Sequence, residues 1–232
     1  MKCQAIRFTR ARKPNDAVYT LHGQQLETVN TIKYLGVTIS NNLTWNNHIA
    51  EIIPKATRTL GFLRRNLRAM PPSIKEHAYK ALVRPQLEYC SSVWDPHTVG
   101  GAHKIEMVQR RAARWTLNRY HNTSSVSSML DQLQWRPLAF RRTDMRLCVM
   151  YKIVNNIVSI NPRTYLQPVT RQTRQTHCHS FIQYQCQHNT FQSSFFPTTI
   201  INWNSLPSHI ITATNYNSFR HQVAELNHNL PY

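Results

Sequence analysis

Hydrophobic and polar positions divide the chain into three stretches of different period. Across residues 1–43 the apolar positions are short and partly alternating: Lys2-Cys3-Gln4-Ala5-Ile6-Arg7-Phe8, Val18-Tyr19-Thr20-Leu21 and Lys33-Tyr34-Leu35-Gly36-Val37-Thr38-Ile39. Runs of this kind predict strands. A basic turn is expected at Arg10-Ala11-Arg12-Lys13-Pro14-Asn15-Asp16 and a hairpin at His22-Gly23. Gly36 inside the third run predicts a bulge or a close approach by another backbone.

From Thr44 the period becomes helical. Trp45, Ile49, Ile52, Ile53, Ala56, Leu60, Leu63 and Leu67 recur three or four apart along one stripe, which must be buried. Arg58 and Arg65 point directly away from it, with Arg68 and Lys55 at its flanks. Pro54 predicts a kink or a break into two helices, because a proline inside a helix removes a hydrogen bond and costs about 3 kcal/mol. Pro71-Pro72 ends the segment, and Ser73-Ile74-Lys75-Glu76 has the spacing of a capping box that starts a second helix. That helix should bend near Pro85 and stop before Asp95-Pro96. A third is expected from about Ala102 to Leu117, after a loop at Gly100-Gly101. It buries Ile105, Val108, Ala112 and Trp115 and turns Arg110 and Arg114 outward. Ser124 or Ser125 caps a short helix carrying Val126, Met129, Leu130 and Leu133. Pro137 opens a longer one through Val158, with Met145, Val149, Ile153 and Ile157 as its apolar line.

Beyond Pro162 the sequence is rich in Gln, Thr, His and Asn with scattered aromatics. It predicts a small strand-and-loop unit closed by a helix from Asn217 to Leu226. The expected division is 1–43 strands, 44–160 a helical domain and 161–232 a polar C-terminal unit. The fold class is mainly α with a small N-terminal β-hairpin or sheet remnant, α+β overall, with a helical bundle followed by a loop- and strand-rich tail.

Charge changes the picture from fold to partner. The chain has 232 residues, 41% of them hydrophobic, with 28 Lys plus Arg against 10 Asp plus Glu and a formal charge of +18. A surplus of that size calls for a polyanion. No run approaches the roughly 20 apolar residues of a spanning helix, and Met1-Lys2-Cys3-Gln4 lacks a signal-type apolar run, so a soluble, intracellular protein without membrane contact is expected. Cys3, Cys90, Cys148, Cys178 and Cys186 are irregularly spaced and are read as reduced.

The basic residues gather on the predicted wet faces, where an ordinary surface mixes signs. Arg58, Arg64, Arg65, Arg68, Lys75, Lys80 and Arg84 on the first two helices, Arg110, Arg111 and Arg114 on the third, and Arg141 and Arg142 on the long helix are candidate contacts to a nucleic-acid backbone. Such contacts position a strand without reading its sequence. Acids are scattered singly, and none lies between Asp144 and Glu225. No close carboxylates therefore suggest a two-metal site, and no local signature suggests a nucleophile or a phosphate-cradling glycine loop. The expectation is no catalytic residue, no metal and no cofactor. His177, Cys178, His179, Cys186 and His188 invite a zinc reading, but their spacing departs from finger patterns and a chance concentration in a polar loop explains them better. The five tryptophans are able to stack on bases, yet mostly sit in core-forming segments, so none is assigned that role.

Several phrases in order go further than composition. Lys2-Cys3, Tyr19-Thr20-Leu21-x-Gly23, Lys33-Tyr34-Leu35-Gly36-Val37-Thr38-Ile39, Leu43-x-Trp45-x-x-His48-Ile49, Leu60-Gly61-Phe62-Leu63-Arg64-Arg65-Asn66-Leu67, Leu82-Val83-Arg84-Pro85-x-Leu87-Glu88-Tyr89, Val93-Trp94-Asp95-Pro96, Val108-Gln109-Arg110-Arg111-Ala112-Ala113-Arg114, and Phe195-Phe196-Pro197 with Trp203-Asn204-x-Leu206-Pro207 form one series. It resembles the C-terminal part of a LINE-type (non-LTR) retrotransposon reverse transcriptase of the jockey-like kind, across nearly the whole chain. In that family the metal-binding aspartates stand in an aromatic-Ala-Asp-Asp phrase upstream of the segment that Lys2-Cys3 resembles. The resemblance therefore implies a chain that begins just after the catalytic strands, keeps the end of the palm over 1–43 around the Tyr34-Leu35-Gly36 strand, and continues through a helical thumb-like domain into the C-terminal region. Pro54 departs from the family pattern, which has a polar helix former there.

The resemblance implies a reverse transcriptase (RNA-directed DNA polymerase) fragment that is not an enzyme as it stands. Its expected partner is RNA or RNA/DNA duplex, held by the backbone. Alternative readings are an interaction module that assembles with a separate catalytic palm segment or with itself, and a mobile-element relic without function.

Overall fold

The computed structural model describes residues 3–9, 17–121, 123–170, 177 and 179–226, and it is mainly helical with small sheets. The basic turn at residues 10–16 lies outside the described residues, as does Cys178.

The N-terminal strands pair two by two. β1 (Gln4–Ile6) runs parallel to β4 (Glu27–Val29), and β2 (Thr20–Leu21) is antiparallel to β3 (Gln24–Gln25) through the expected His22-Gly23 turn. Residues 33–39 are not the single strand that their pattern suggests. They form a hairpin of β5 (Thr31–Tyr34) and β6 (Val37–Ser40), because Leu35 and Gly36 both adopt positive φ, 46° and 84°, and reverse the chain in two residues. Gly36 is thus a turn residue, and the Tyr89 ring closes over it with its hydroxyl donating to the Leu35 carbonyl at 3.1 Å.

α1 (Asn46–Asn66) is one helix and runs through Pro54 without a break. Ala50, whose carbonyl loses its donor to the proline, is exposed like Pro54 itself, so water reaches the unpaired group. The next helical run is α2 (Pro72–Ala78), a widened π-type turn (Tyr79–Val83) and α3 (Arg84–Glu88). The expected bend near Pro85 takes this form, with the Arg84 N–H reaching back five residues to Tyr79. The capping box is not made. Pro71 is the N-cap, while Glu76 accepts from the Trp135 indole at 3.1 Å and pairs with Lys80.

α4 (Val99–Leu117) starts earlier than its apolar period suggests, capped by Thr98, and takes Gly100 and Gly101 into its first turn. α5 (Val126–Gln132) is capped by Ser125. These helices enclose a first core that includes Ile49, Leu60, Leu63, Val83, Leu87, Ile105, Val108 and Leu138, with Tyr79 and Trp135 stacked at 4.3 Å inside it. Tyr79 also donates to Gln109 at 2.9 Å, and Gln109 holds the Arg136 carbonyl at 2.9 Å, so the buried polar groups satisfy one another.

α6 (Leu138–Val154) ends before Val158 and leaves Ile157 exposed. It joins both cores. Leu138 belongs to the first, whereas Leu147, Met150, Tyr151 and Ile153 begin a second within the segment 44–160. The expected line of Met145 and Val149 is half-buried at the rim, and Arg142 and Arg146 point inward instead.

The tail contains more helix than its polar composition suggests: α7 (Pro162–Tyr165), α8 (Asn189–Gln192), α9 (Phe195–Asn204), α10 (Ser208–Ile211) and α11 (Tyr216–Leu226). Its strand content among the described residues is a bridge between Pro168 and Phe181. Trp203 and Asn204 pin this loop to α9. The Trp203 indole donates to His179 at 3.0 Å, and the Asn204 amide both accepts from and donates to the Phe181 backbone, at 3.0 and 2.7 Å.

Candidate nucleic-acid interface

Burying Ala56, Leu60 and Leu63 against α4 leaves Arg64, Arg65 and Arg68 on the outer side of α1 and the turn that follows it. Pro71-Pro72 reverses the chain into α2 and brings Lys75 back beside them. At the far end of α4, Asn118 adopts φ 53°, and the N–H groups of Asn118 and Arg119 return to the carbonyls of Trp115 and Arg114. This left-handed cap aims Tyr120 at α1, where its ring centre lies 5.8 Å from the Arg64 guanidinium.

The result is an open groove of about 690 Å³ lined by Gly61, Arg64, Arg65, Arg68, Lys75, Trp115, Asn118 and Tyr120. Four cations line it and no carboxylate does. None of the four forms an ion pair among the described residues. Lys75 is 5% exposed, so its stem is packed into the wall of the groove. Trp115 is buried behind them. An array of donors without acceptors suits an anion.

Other basic residues singled out from the sequence are placed differently. Lys80 pairs with Glu76 at 2.5 Å; Arg84 and Arg141 both pair with Glu88. Arg142 is 2% exposed and donates to Asp95 at 2.6 Å, on the carboxylate that Arg146 also binds. Burial lowers the Arg142 pKa and pushes that of Arg146 down to about 10, which leaves Arg146 charged at neutral pH. For Arg141 burial acts in the same direction, but its bonds to Glu88 outweigh it and raise the pKa. These four residues, Lys80, Arg84, Arg141 and Arg142, are therefore committed to acids within the fold and do not form one free basic face with the rest. Lys80 and Arg84 pair with acids four residues away, Glu76 and Glu88, whereas Arg141 and Arg142 on α6 meet Glu88 and Asp95 only after folding.

Arg58 lies in a separate shallow groove of about 380 Å³ with Lys33, Lys55 and Glu51, where Lys33 and Glu51 pair at 3.2 Å. Arg111 is exposed and Arg110 and Arg114 half-buried on α4, without ion pairs among the described residues. A larger cavity of about 700 Å³ beside α3, α6 and α11 mixes Arg136 and Arg141 with Glu88 and Asp144, so it has no clear preference of sign.

Tyr120 was not singled out by sequence reasoning, although an Asn just past the last apolar position of a helix is a signal for a left-handed cap that turns the following residues back. Trp94, Trp115, Trp135 and Trp203 are buried, with Trp45 half-buried at the start of α1. Among the described residues no three His, Cys, Asp or Glu side chains are grouped to hold a metal ion. His177 instead contacts the Trp203 carbonyl at 3.2 Å, and burial lowers its pKa.

In a comparison with known proteins, part of the chain is similar to a protein of a retrotransposable element. The chain is 32% identical over 110 residues to the 115 kDa protein in type-1 retrotransposable element R1DM of Drosophila melanogaster. The aligned stretch is 45% of this chain and 11% of that protein. No protein-family profile matches the chain, and no solved structure matches it.

Proposed function

We propose that the chain is a non-catalytic part of a retrotransposon reverse transcriptase, a thumb-like helical unit that holds RNA or RNA/DNA duplex by its phosphates. The observation that carries this reading is the groove in which Arg64, Arg65, Arg68 and Lys75 meet without an acid. Each such cation releases counterions when it meets a phosphate, so binding should fall log-linearly with salt at a slope of about −0.9 per neutralised phosphate on a B-form duplex. Arg58, Arg110, Arg111 and Arg114 extend the basic surface outside the groove. The expected place of action is inside the cell, and no helix among the described residues is long and apolar enough to cross a membrane.

Titration of the folded chain against a fluorescent RNA/DNA duplex across a salt series tests the reading. The triple variant Arg64→Ala, Arg65→Ala, Arg68→Ala should flatten the slope by about three phosphates' worth. Absence of binding at low salt would sink the proposal, and primer extension with added magnesium would sink its non-catalytic half.

A second reading, assembly with a separate palm segment or a second copy, has its own support. Val18 before β2, Tyr34 at the end of β5 and Leu35 in the turn after it are exposed apolar side chains, the last 73% exposed, and the two-stranded sheets beside them leave edges open to pairing. Sedimentation of the chain at high concentration distinguishes self-assembly from a monomer that awaits another chain.

A further inference from the structure

We propose that the groove between α1 and α4 takes an unpaired nucleotide, with the base stacked on Tyr120 and the phosphate among Arg64, Arg65, Arg68 and Lys75. Its preferred occupant is then a single strand rather than a continuous duplex. The inference rests on the nucleic-acid reading above and narrows it.

Cations alone do not separate the two forms, since both present phosphates. The aromatic ring beside them does, because Tyr120 lines the same groove as the four cations.

Tyr120 supplies what a duplex cannot use. In a duplex the faces of the bases are covered by their neighbours; in a single strand they are free to stack on a protein ring. Tyr120 is 51% exposed, so ring surface remains open although Arg64 lies over it at 5.8 Å. Tyr120 follows the αL cap at Asn118 and lines the groove beside the cations, so the ring stands there in the free protein. A basic groove lined by an aromatic ring is the arrangement by which proteins hold single strands without reading sequence.

The test compares a labelled single strand with a blunt duplex of the same sequence, at one salt concentration, on the full chain. Tyr120→Ala should weaken single-strand binding by roughly tenfold, the scale of one lost stack, and leave duplex binding unchanged. Tyr120→Phe should bind as the unsubstituted chain does. A strand carrying 2-aminopurine should lose emission on binding the unsubstituted chain and the Phe variant, but not the Ala variant. If Tyr120→Ala leaves single-strand binding and emission unaltered while Arg65→Ala weakens both substrates, the stacked nucleotide is wrong and the backbone reading stands. If the folded chain binds neither substrate, both fall.

Discussion

The guanidinium of Arg64 lies 5.8 Å from the centre of the Tyr120 ring and so ties the end of α1 to the turn that closes α4. The contact depends on Asn118, whose φ of 53° belongs to the left-handed region that Asn tolerates and β-branched residues do not. Asn118→Val should cost about 1–2 kcal/mol and release Tyr120 from the groove, while Asn118→Gly should be neutral or stabilising. Urea midpoints for the two variants check this. Equal midpoints would mean that the cap does not set the turn.

Lys75 is buried at 5% exposure with no carboxylate to neutralise it, beside three arginines. Lys75→Met keeps the packed stem and removes an uncompensated buried charge, so the free chain should lose no stability. Nucleic-acid binding should weaken at low salt, and the salt slope should drop by about one phosphate. Strong destabilisation by this substitution would show that Lys75 has a structural partner and is not a ligand group.

Asp95 predicts the opposite behaviour. It is the shared acceptor of Arg142 and Arg146, both nearly buried, and Asp95→Asn takes away the carboxylate that both guanidinium groups bind. Breaking a buried pair in this way costs about 3–5 kcal/mol. Thermal melting should show the loss, while the salt slope of the remaining folded chain stays unchanged. A slope reduced to the extent seen with Lys75→Met would place the Asp95 cluster in the binding surface.

These contrasts show what the sequence made legible. The stripe from Ile49 to Leu63 and the arginines opposite it were readable because helical period places them without reference to any other element. Arg142 looked the same by that rule, but its environment is set by Asp95, 47 residues earlier, and no local period reports a partner at that distance. The hairpin at Leu35-Gly36 was hidden for a different reason: a two-residue turn between two short strands leaves the alternation nearly intact. In the tail, Trp203 and Asn204 hold a loop by side-chain bonds to backbone, which leave no periodic trace.

Adjacent glycines at the start of α4 have opposite roles. A methyl group on Gly101 would meet Pro96 Cβ and Thr98 Oγ1 at 3.0 Å and Ile49 at 3.3 Å, whereas Gly100 faces open space. Gly101→Ala should therefore destabilise by about 1–3 kcal/mol through overpacking, and Gly100→Ala should stabilise by about 0.5–1 kcal/mol by lowering the entropy of the unfolded chain. A shared sign in denaturant melts would mean that the loop before α4 moves freely enough to absorb the methyl group.

His48 makes the fold sensitive to acid. Its ring is buried between β6 and α1, edge-on to Trp94 with centroids 4.7 Å apart, and its Nδ1 accepts the Thr38 N–H at 3.2 Å. That bond requires an unprotonated Nδ1. Burial lowers the pKa below its ordinary value of about 6.5, with Lys33 acting in the same direction and Glu51 against it. The neutral ring is therefore the native form, and protonation favours the unfolded chain. The contribution is complete above about pH 6.5 and is lost as pH falls, by up to roughly 1.4 kcal/mol per pH unit until the folded pKa is reached. Urea midpoints from about pH 7.5 to about pH 5.5 should fall more steeply for the unsubstituted chain than for His48→Gln, which lacks the titrating group. Parallel curves would assign the acid sensitivity to carboxylates and acquit His48.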